Sequence, residues 1–254
     1  MKGRKEVFFK KEKGKILSVF FVAGVPDLKR AGEFLLKLSS LGCDIIEVGV
    51  PYSDPLADGP TIRCAYERAL KKGTTPDRII HMIEKMRKKV DSKIVLMIYF
   101  NLINKMGQEK FLKRIKKAGV DGVIVPDLVY PYWIDFAKKC HKKHIAFIPL
   151  VSPLTPLQRI KEISQHGSGF LYYVNVEGTT GEREKLPQDT SKKLLNIRKV
   201  SKLPVLSGFG ISSPQIAKSI KKYCDGVVVG SAVQRRINSG KSFDKFVKSL
   251  RKAV

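Results

Sequence analysis

The feature that most constrains the fold of this chain is a regular alternation of short apolar runs with longer amphipathic segments. In the amphipathic segments apolar residues recur at spacings of three and four, and lysines fill the other positions, which is typical of surface helices. The apolar runs are almost continuous, as expected for parallel strands that are buried on both faces. There are eight such runs, at residues 16–23, 44–50, 93–100, 121–127, 145–151, 170–176, 203–209 and 225–231.

Eight strands that alternate with helices in 254 residues predict one α/β domain over residues 1–254, a (β/α)8 TIM barrel. A doubly wound open sheet is the alternative, but it would need fewer strands or a clear switch point in the strand order. The segment KEVFFKKEKGK at 5–15 predicts an extra N-terminal helix over the barrel floor. A short extra helix, AVQRRINS at 232–239, is expected before the last barrel helix.

The charge balance of the chain is strongly basic, with 49 Lys and Arg against 23 Asp and Glu and a net charge of +26. Such a charge raises nucleic acid or an anionic membrane as a partner. The lysines are spread along the whole chain, without an RRM, zinc-finger or basic-zipper pattern, so we interpret them as helix exteriors and do not expect specific nucleic-acid binding.

The cysteines and the apolar runs indicate where the chain resides. The four cysteines are far apart and form no CxxC pair, which predicts free buried thiols in a reducing compartment and no metal site. Residues 13–26, KGKILSVFFVAGVP, have the residue order of a signal peptide, but they also repeat the strand pattern, which we favour. No apolar run has transmembrane length, and we expect a cytoplasmic protein.

Candidate catalytic residues lie in EVGVPYSDPLADGP, residues 47–60, because barrel enzymes place their chemistry where strands end. Alternation along the second strand puts Ile45 and Glu47 on one face, which predicts a carboxyl group in an apolar barrel mouth. Such a group has a raised pKa and can transfer protons near neutral pH, although an ion pair could also satisfy it. Asp54 and Asp58 follow in a proline-rich loop suited to an N–H donor, and Asp58 could instead cap the next helix.

A phosphorylated substrate is predicted from three late loops that carry glycines, at 177–183, 207–214 and 229–233. Glycines let backbone N–H groups approach an oxyanion, and Ser231 is expected to cap a short helix whose N-terminus attracts negative charge. Barrels often hold phosphate after strands seven and eight, where two of these loops lie.

At this point the motifs carry a family resemblance. The segments EVGVPYSDPLADGPTI, MIYFNLI, GVIVPDL, GTTG and GFGISSP resemble, in order and spacing, those of the tryptophan synthase alpha chain family, over about residues 20–231. The resemblance implies a TIM barrel that cleaves indole-3-glycerol phosphate into indole and glyceraldehyde 3-phosphate by a retro-aldol reaction, in L-tryptophan biosynthesis. It also implies a lyase without a cofactor of its own, in an α2β2 heterotetramer whose beta subunit holds pyridoxal phosphate and receives the indole.

The resemblance also assigns roles to individual residues. Glu47 matches the proton donor and acceptor at indole C3 and the glycerol hydroxyl, Asp58 the group that binds the indole N–H, and Asp54 an acid that communicates with the beta subunit. Positions that line the indole pocket match Phe20, Tyr99, Ile124, Tyr172 and Phe209. Positions of the phosphate site match Gly181, Gly210, Gly230 and Ser231.

The chain departs from the family pattern in the sixth loop, at Asn175, Val176 and Glu177, and in residues 128–133, which lack the usual acidic pair. A carboxylate at Glu177 would repel a bound phosphate unless it pointed to solvent. Two other hypotheses therefore stay open. One is an alpha chain with weak or lost cleavage that mainly docks on and activates the beta subunit; the other is a basic binding protein on the same barrel.

Overall fold

The computed structural model describes residue 8 and residues 14–56, 58–174, 189–208 and 210–254. In these ranges the strands form one parallel sheet with the order β5-β4-β3-β2-β1-β9-β8-β7-β6. The strands are β1 (Ile16–Val22), β2 (Ile45–Gly49), β3 (Lys93–Met97), β4 (Gly122–Ile124), β5 (Ala146–Phe147), β6 (Leu150–Val151), β7 (Leu171–Tyr173), β8 (Val205–Ser207) and β9 (Gly226–Val229).

The sheet closes into a barrel because its two edge strands, β5 and β6, are consecutive in the chain. The Ile148 N–H donates to the carbonyl of Val123 in β4, at 2.9 Å. The carbonyl of Pro149 accepts the N–H of Tyr172 on β7, at 3.0 Å. One apolar run therefore pairs with both neighbours in turn, and β5 and β6 together make the fifth barrel strand. The prediction of eight strand segments in a TIM barrel is confirmed.

Helices cover the outside of the barrel. They are α1 (Leu28–Ser40), α2 (Pro60–Lys71), α3 (Pro76–Met86), α4 (Phe100–Met106), α5 (Gln108–Lys117), α6 (Ile134–Lys142), α7 (Leu157–His166), α8 (Thr190–Val200), α9 (Pro214–Ile220), α10 (Ser231–Asn238) and α11 (Asp244–Ala253), and a 3₁₀ turn at Arg87–Lys89 follows α3. Sequence signals start several of them: the Asp27 side chain accepts the Arg30 N–H at 2.9 Å, and proline opens α2, α3 and α9. The extra helix predicted before the last barrel helix is confirmed as α10.

The barrel interior is filled by side chains that alternate along the strands. Phe8 packs among them from below, with its ring centroid 6.4 Å from that of Phe170. The predicted N-terminal helix over the floor otherwise lies outside the described residues. The interior layer consists of Phe8, Ile45, Val95, Ile124, Ala146, Ile148, Phe170, Leu206 and Val228.

Three aspartates, which we call the floor aspartates, stand just before strands at the N-terminal end of the barrel. They are Asp44 before β2, Asp121 before β4 and Asp225 before β9. Each accepts a backbone N–H from the adjacent strand segment, at 2.7 to 2.9 Å, and each pairs with a basic side chain at 2.6 to 3.0 Å. The N–H donors are Leu17, Ile94 and Val205, and the bases are Arg251, Lys93 and Arg198, respectively. These acids therefore bind the strands together where they begin.

Candidate active site

Glu47 lies at the C-terminal half of β2, fully buried, with its side chain in the barrel interior. The Ser18 hydroxyl on β1 donates to Glu47 Oε1 at 2.6 Å. Glu47 Oε2 is buried and has no hydrogen-bond partner among the described residues. Burial raises the pKa of Glu47 from 4.5 to about 7, against the opposing effect of the Ser18 hydrogen bond. The group can thus give or take a proton at neutral pH.

The structure contradicts the ion-pair alternative for Glu47 within the described ranges, where no basic side chain forms a salt bridge with it and its hydrogen-bond donor is the Ser18 hydroxyl. Its contact is a neutral hydroxyl, so the carboxyl group is not locked in its ionised form. In such an environment the pKa of a buried carboxyl group can lie near neutral pH, where the group can transfer protons.

Asp58 lies in the loop between β2 and α2 and is partly buried. The Tyr99 hydroxyl donates to Asp58 Oδ2 at 2.7 Å, and the Tyr99 ring stacks on Tyr52 with centroids 4.6 Å apart. Burial raises the pKa of Asp58 from 3.8 to about 6, and the bond from Tyr99 lowers it in part. The capping alternative for Asp58 is wrong, because Gly59 is the N-cap of α2 and no side chain caps this helix.

Aromatic side chains bring the two acids into one pocket. Phe20 is opposite Glu47 in the register of β1 and β2. A side chain at Gly49 would meet the Phe20 ring at 2.6 Å, and one at Gly208 would meet the Tyr172 ring at 2.2 Å, so both rings lie directly on glycine backbone. Burial raises the pKa of the Tyr172 hydroxyl well above 10, and the nearby charges of Glu47 and Asp58 raise it further.

Two other residues predicted for the indole pocket, Tyr99 and Ile124, lie at different depths in the barrel. Tyr99 is buried at the mouth beside Asp58, whereas Ile124 is fully buried in the interior layer. The fifth residue predicted for this pocket, Phe209, lies outside the described residues.

Of the four residues predicted to bind phosphate, the structure describes Gly210, Gly230 and Ser231. Gly230, not Ser231, is the N-cap of α10; this corrects the prediction by one residue. The reason is that the chain turns directly after β9, where the Gly230 carbonyl accepts the N–H groups of Val233 and Gln234. Gly210 has a φ of +48°, a conformation that suits glycine. Gly181 and the altered positions Asn175, Val176 and Glu177 lie outside the described residues.

Sequence reasoning missed three residues that support the site. Ser18 and Tyr66 are buried polar side chains, and Tyr66 has a hydroxyl without a hydrogen-bond partner in the described ranges. Burial raises the Tyr66 pKa well above 10, and the charge of Asp58 adds to this. The side chain of buried Gln234 accepts the Val22 N–H at 2.8 Å and so ties α10 to the end of β1. For Ser18 the available signal was a polar residue inside an apolar run, whereas Tyr66 and Gln234 lie in amphipathic helices that gave no such signal.

Asp54 is exposed and accepts a hydrogen bond from the Ser53 hydroxyl at 2.5 Å. The four cysteines are free thiols; Cys43, Cys140 and Cys224 are buried, whereas Cys64 is exposed on α2, against the expectation from the sequence that all four are buried. The described ranges contain no group of His, Cys, Asp or Glu side chains arranged to hold a metal ion. None of the helices in the same ranges has the length and apolar character needed to cross a membrane.

Comparison with known proteins identifies relatives of the whole chain. The family model of the tryptophan synthase alpha chain matches residues 8–253. Tryptophan synthase alpha chains of Thermoanaerobacter pseudethanolicus and Caldanaerobacter subterraneus are 41% and 42% identical over 245 and 252 residues, which cover 96% of this chain and 93% and 96% of theirs. A solved alpha subunit from Legionella pneumophila superposes with a TM-score of 0.86 at 31% identity, over 94% of this chain and 92% of that one. A chain of Mycobacterium tuberculosis tryptophan synthase gives 0.88 at 31% identity, with the same coverage.

Proposed function

This chain belongs to the tryptophan synthase alpha chain family, and we propose that it is a lyase that cleaves indole-3-glycerol phosphate into indole and glyceraldehyde 3-phosphate. The observation that carries this proposal is the buried Glu47 carboxyl group, in the same mouth as Asp58, with a pKa of about 7 and one oxygen that has no partner among the described residues. A retro-aldol cleavage needs such a group, because it adds one proton and removes another.

Glu47 performs both proton transfers in this scheme. The neutral acid protonates indole C3, which converts the ring into a cation able to accept the electrons of the bond between C3 and the glycerol chain. The carboxylate so formed removes the proton of the hydroxyl on the adjacent glycerol carbon, and the aldehyde forms as the carbon–carbon bond breaks. Glu47 ends neutral again, so that the step needs no other acid, base or cofactor.

Asp58 stabilises the cation formed in the first step. Its carboxylate accepts the indole N–H, and that hydrogen bond strengthens as positive charge develops on the ring. Asp58 must be ionised while Glu47 is protonated. Their pKa values of about 6 and about 7 differ in the direction that allows both forms near neutral pH.

The remaining site residues orient the substrate. We propose that the indole ring is held by Phe20, Tyr99, Ile124 and Tyr172, with Phe209, and that the phosphate is held by Gly181, Gly210, Gly230 and Ser231. The first N–H groups of α10 have no carbonyl partner within the helix and can bind an oxyanion. Binding energy at the phosphate would fix the position of the reacting carbon, which lowers the barrier through orientation.

A beta subunit is the proposed partner, in an α2β2 heterotetramer located in the cytoplasm, with pyridoxal phosphate in the partner and no cofactor in this chain. Four apolar side chains project from the loops after β2, β4 and β6, which end at one rim of the barrel: Leu56, Val129, Tyr132 and Leu154. Exposed apolar residues at one rim support docking there. Asp54 lies two residues from Leu56, in a position to link that interface to Asp58.

The test is release of indole from indole-3-glycerol phosphate by the purified chain, with and without a beta subunit, alongside beta-subunit turnover of added indole and serine. We expect indole release from the chain alone and faster release in the complex. Strong activation of the beta subunit without any release of indole would contradict the proposal and favour an alpha chain that only docks and activates.

A further inference from the structure

Ser18 places a hydroxyl group on the interior face of β1, within an otherwise apolar strand. Ser18 lies in the middle of β1, is fully buried and donates to Glu47 Oε1 at 2.6 Å. We propose that Ser18 is a positioning residue, which holds Glu47 Oε1 so that Oε2 is the oxygen that exchanges protons with the substrate. This inference rests on the function proposed above and extends it to a residue outside the motifs of the sequence.

The strand register explains how the two side chains meet. Ser18 is opposite Ile45, and Phe20 is opposite Glu47, so Ser18 is the diagonal neighbour of Glu47 on the interior face. Phe20 occupies the directly opposite position with an apolar ring. Within the described ranges the Glu47 side chain therefore has its hydrogen-bond donor on the β1 side, at Ser18, and this bond selects one rotamer among several.

The two carboxyl oxygens of Glu47 have different surroundings, and the difference points to substrate. Oε1 is satisfied by Ser18, whereas Oε2 is buried without a partner in the described ranges. Buried polar atoms without partners are rare and costly in native proteins. A substrate that forms a hydrogen bond with Oε2 removes this cost. Because Oε1 already has a partner, Oε2 is the oxygen at which we place the proton exchange with the substrate.

The chemistry of a hydroxyl suits both protonation states of the acid. Because Oε1 accepts a hydrogen bond from the Ser18 hydroxyl, the proton of the neutral Glu47 carboxyl group resides on Oε2. When Glu47 is ionised, the same hydrogen bond stabilises the negative charge on the carboxylate, which limits the rise of the Glu47 pKa caused by burial. Ser18 therefore sets both where the catalytic proton sits and how easily it leaves.

The matched pair Ser18→Thr and Ser18→Val tests this, since threonine and valine have nearly the same shape and only threonine has a hydroxyl. We expect Ser18→Thr to stay within a few-fold of the original kcat. Ser18→Val should lose roughly tenfold in kcat with little change in KM, and the limb of the pH profile due to Glu47 should move up by about one unit. Circular dichroism and the unfolding midpoint check that both variants fold.

Ser92→Ala is the control, because Ser92 is also a buried serine whose hydroxyl donates a hydrogen bond, to the Cys43 carbonyl at 2.6 Å, but it stands before β3 at the floor of the barrel. It should leave kcat and the pH profile unchanged. Equal losses in the Thr and Val variants, or an unchanged pH limb in Ser18→Val, would overturn the positioning role.

An inactive original chain would contradict the proposed function instead, and an infrared titration then tests the Ser18 contact separately. The carboxyl band of Glu47 is identified by its loss in Glu47→Gln. We expect Ser18→Val, and not Ser18→Thr, to shift the frequency and titration midpoint of that band. An unchanged band in Ser18→Val would overturn the inference whether or not the chain is active.

Discussion

The acids at the two ends of the barrel have opposite surroundings. At the floor, Asp44, Asp121 and Asp225 each accept a backbone N–H and pair with a basic side chain. At the mouth, Glu47 and Asp58 receive hydrogen bonds from hydroxyl groups, and neither forms a salt bridge within the described ranges. In a chain with 49 Lys and Arg, cations are abundant, so their absence from the described mouth contacts is informative.

The difference in surroundings corresponds to two roles of the acids, which are stabilising the fold at the floor and exchanging protons at the mouth. A carboxylate that accepts a backbone N–H and pairs with a cation stabilises the fold in its ionised form. A buried carboxyl group without a cation is costly when ionised, and burial accordingly raises the pKa of Glu47 to about 7 and of Asp58 to about 6. The two buried carboxyl groups at the mouth therefore lower the stability of the folded state when they are ionised, but they can exchange protons near neutral pH.

The largest effect is expected from Glu47→Gln. The amide keeps the shape of the side chain but cannot transfer protons, so cleavage should fall by about 10²- to 10⁴-fold. Steady-state release of indole measures the loss. Glu67→Gln, at an exposed position on α2, is the matched control and should cleave normally. Normal cleavage by Glu47→Gln would remove Glu47 from the mechanism.

Asp58→Asn removes the charge at the mouth while keeping an oxygen that can accept from Tyr99. Because a hydrogen bond to a charged group is worth about 1.5–3 kcal/mol, kcat/KM should fall by about 10- to 100-fold. The smaller loss than in Glu47→Gln follows because Asp58 stabilises charge and transfers no proton. An equal kcat/KM in the variant would show that the indole N–H is bound elsewhere.

The pH dependence of stability sharpens the comparison. Since the pKa of Glu47 is raised on folding from 4.5 to about 7, the native state binds more protons than the unfolded state between these values. Stability contributed by this group is therefore present below pH 4.5 and is lost as the pH rises to about 7, by about 3 kcal/mol. Chemical unfolding of the original chain and Glu47→Gln should give a difference that grows in favour of the variant from pH 5 to pH 8; a constant difference would contradict the raised pKa.

At the floor the expected effect is on stability alone. Asp225→Ala leaves the buried Val205 N–H without its acceptor and separates Arg198 from its partner. Both contacts are partly exposed to solvent, so we expect a loss of about 1–3 kcal/mol in the free energy of unfolding, with unchanged kcat per folded molecule. Denaturant titration and the indole assay on the same sample measure both. A loss of kcat at full folding would mean that the floor and the mouth are coupled.

The sequence determined the barrel, because the alternation of apolar and amphipathic segments requires strands buried on both faces and helices outside. Alternation along β2 was also sufficient to place Glu47 on the interior face with Ile45. Both inferences depend on local periodicity, which is readable without knowing any distant contact.

The contacts of each acid depend on the tertiary structure. The Ser18–Glu47 hydrogen bond joins residues 29 apart, and the Tyr99–Asp58 bond joins residues 41 apart. These pairs depend on strand register and on the path of a loop, and that is why the capping role of Asp58 and, among the described residues, the ion pair at Glu47 were wrong alternatives. The pKa of a carboxyl group depends on such neighbours, so the sequence located the acids, whereas the fold made two of them able to exchange protons near neutral pH.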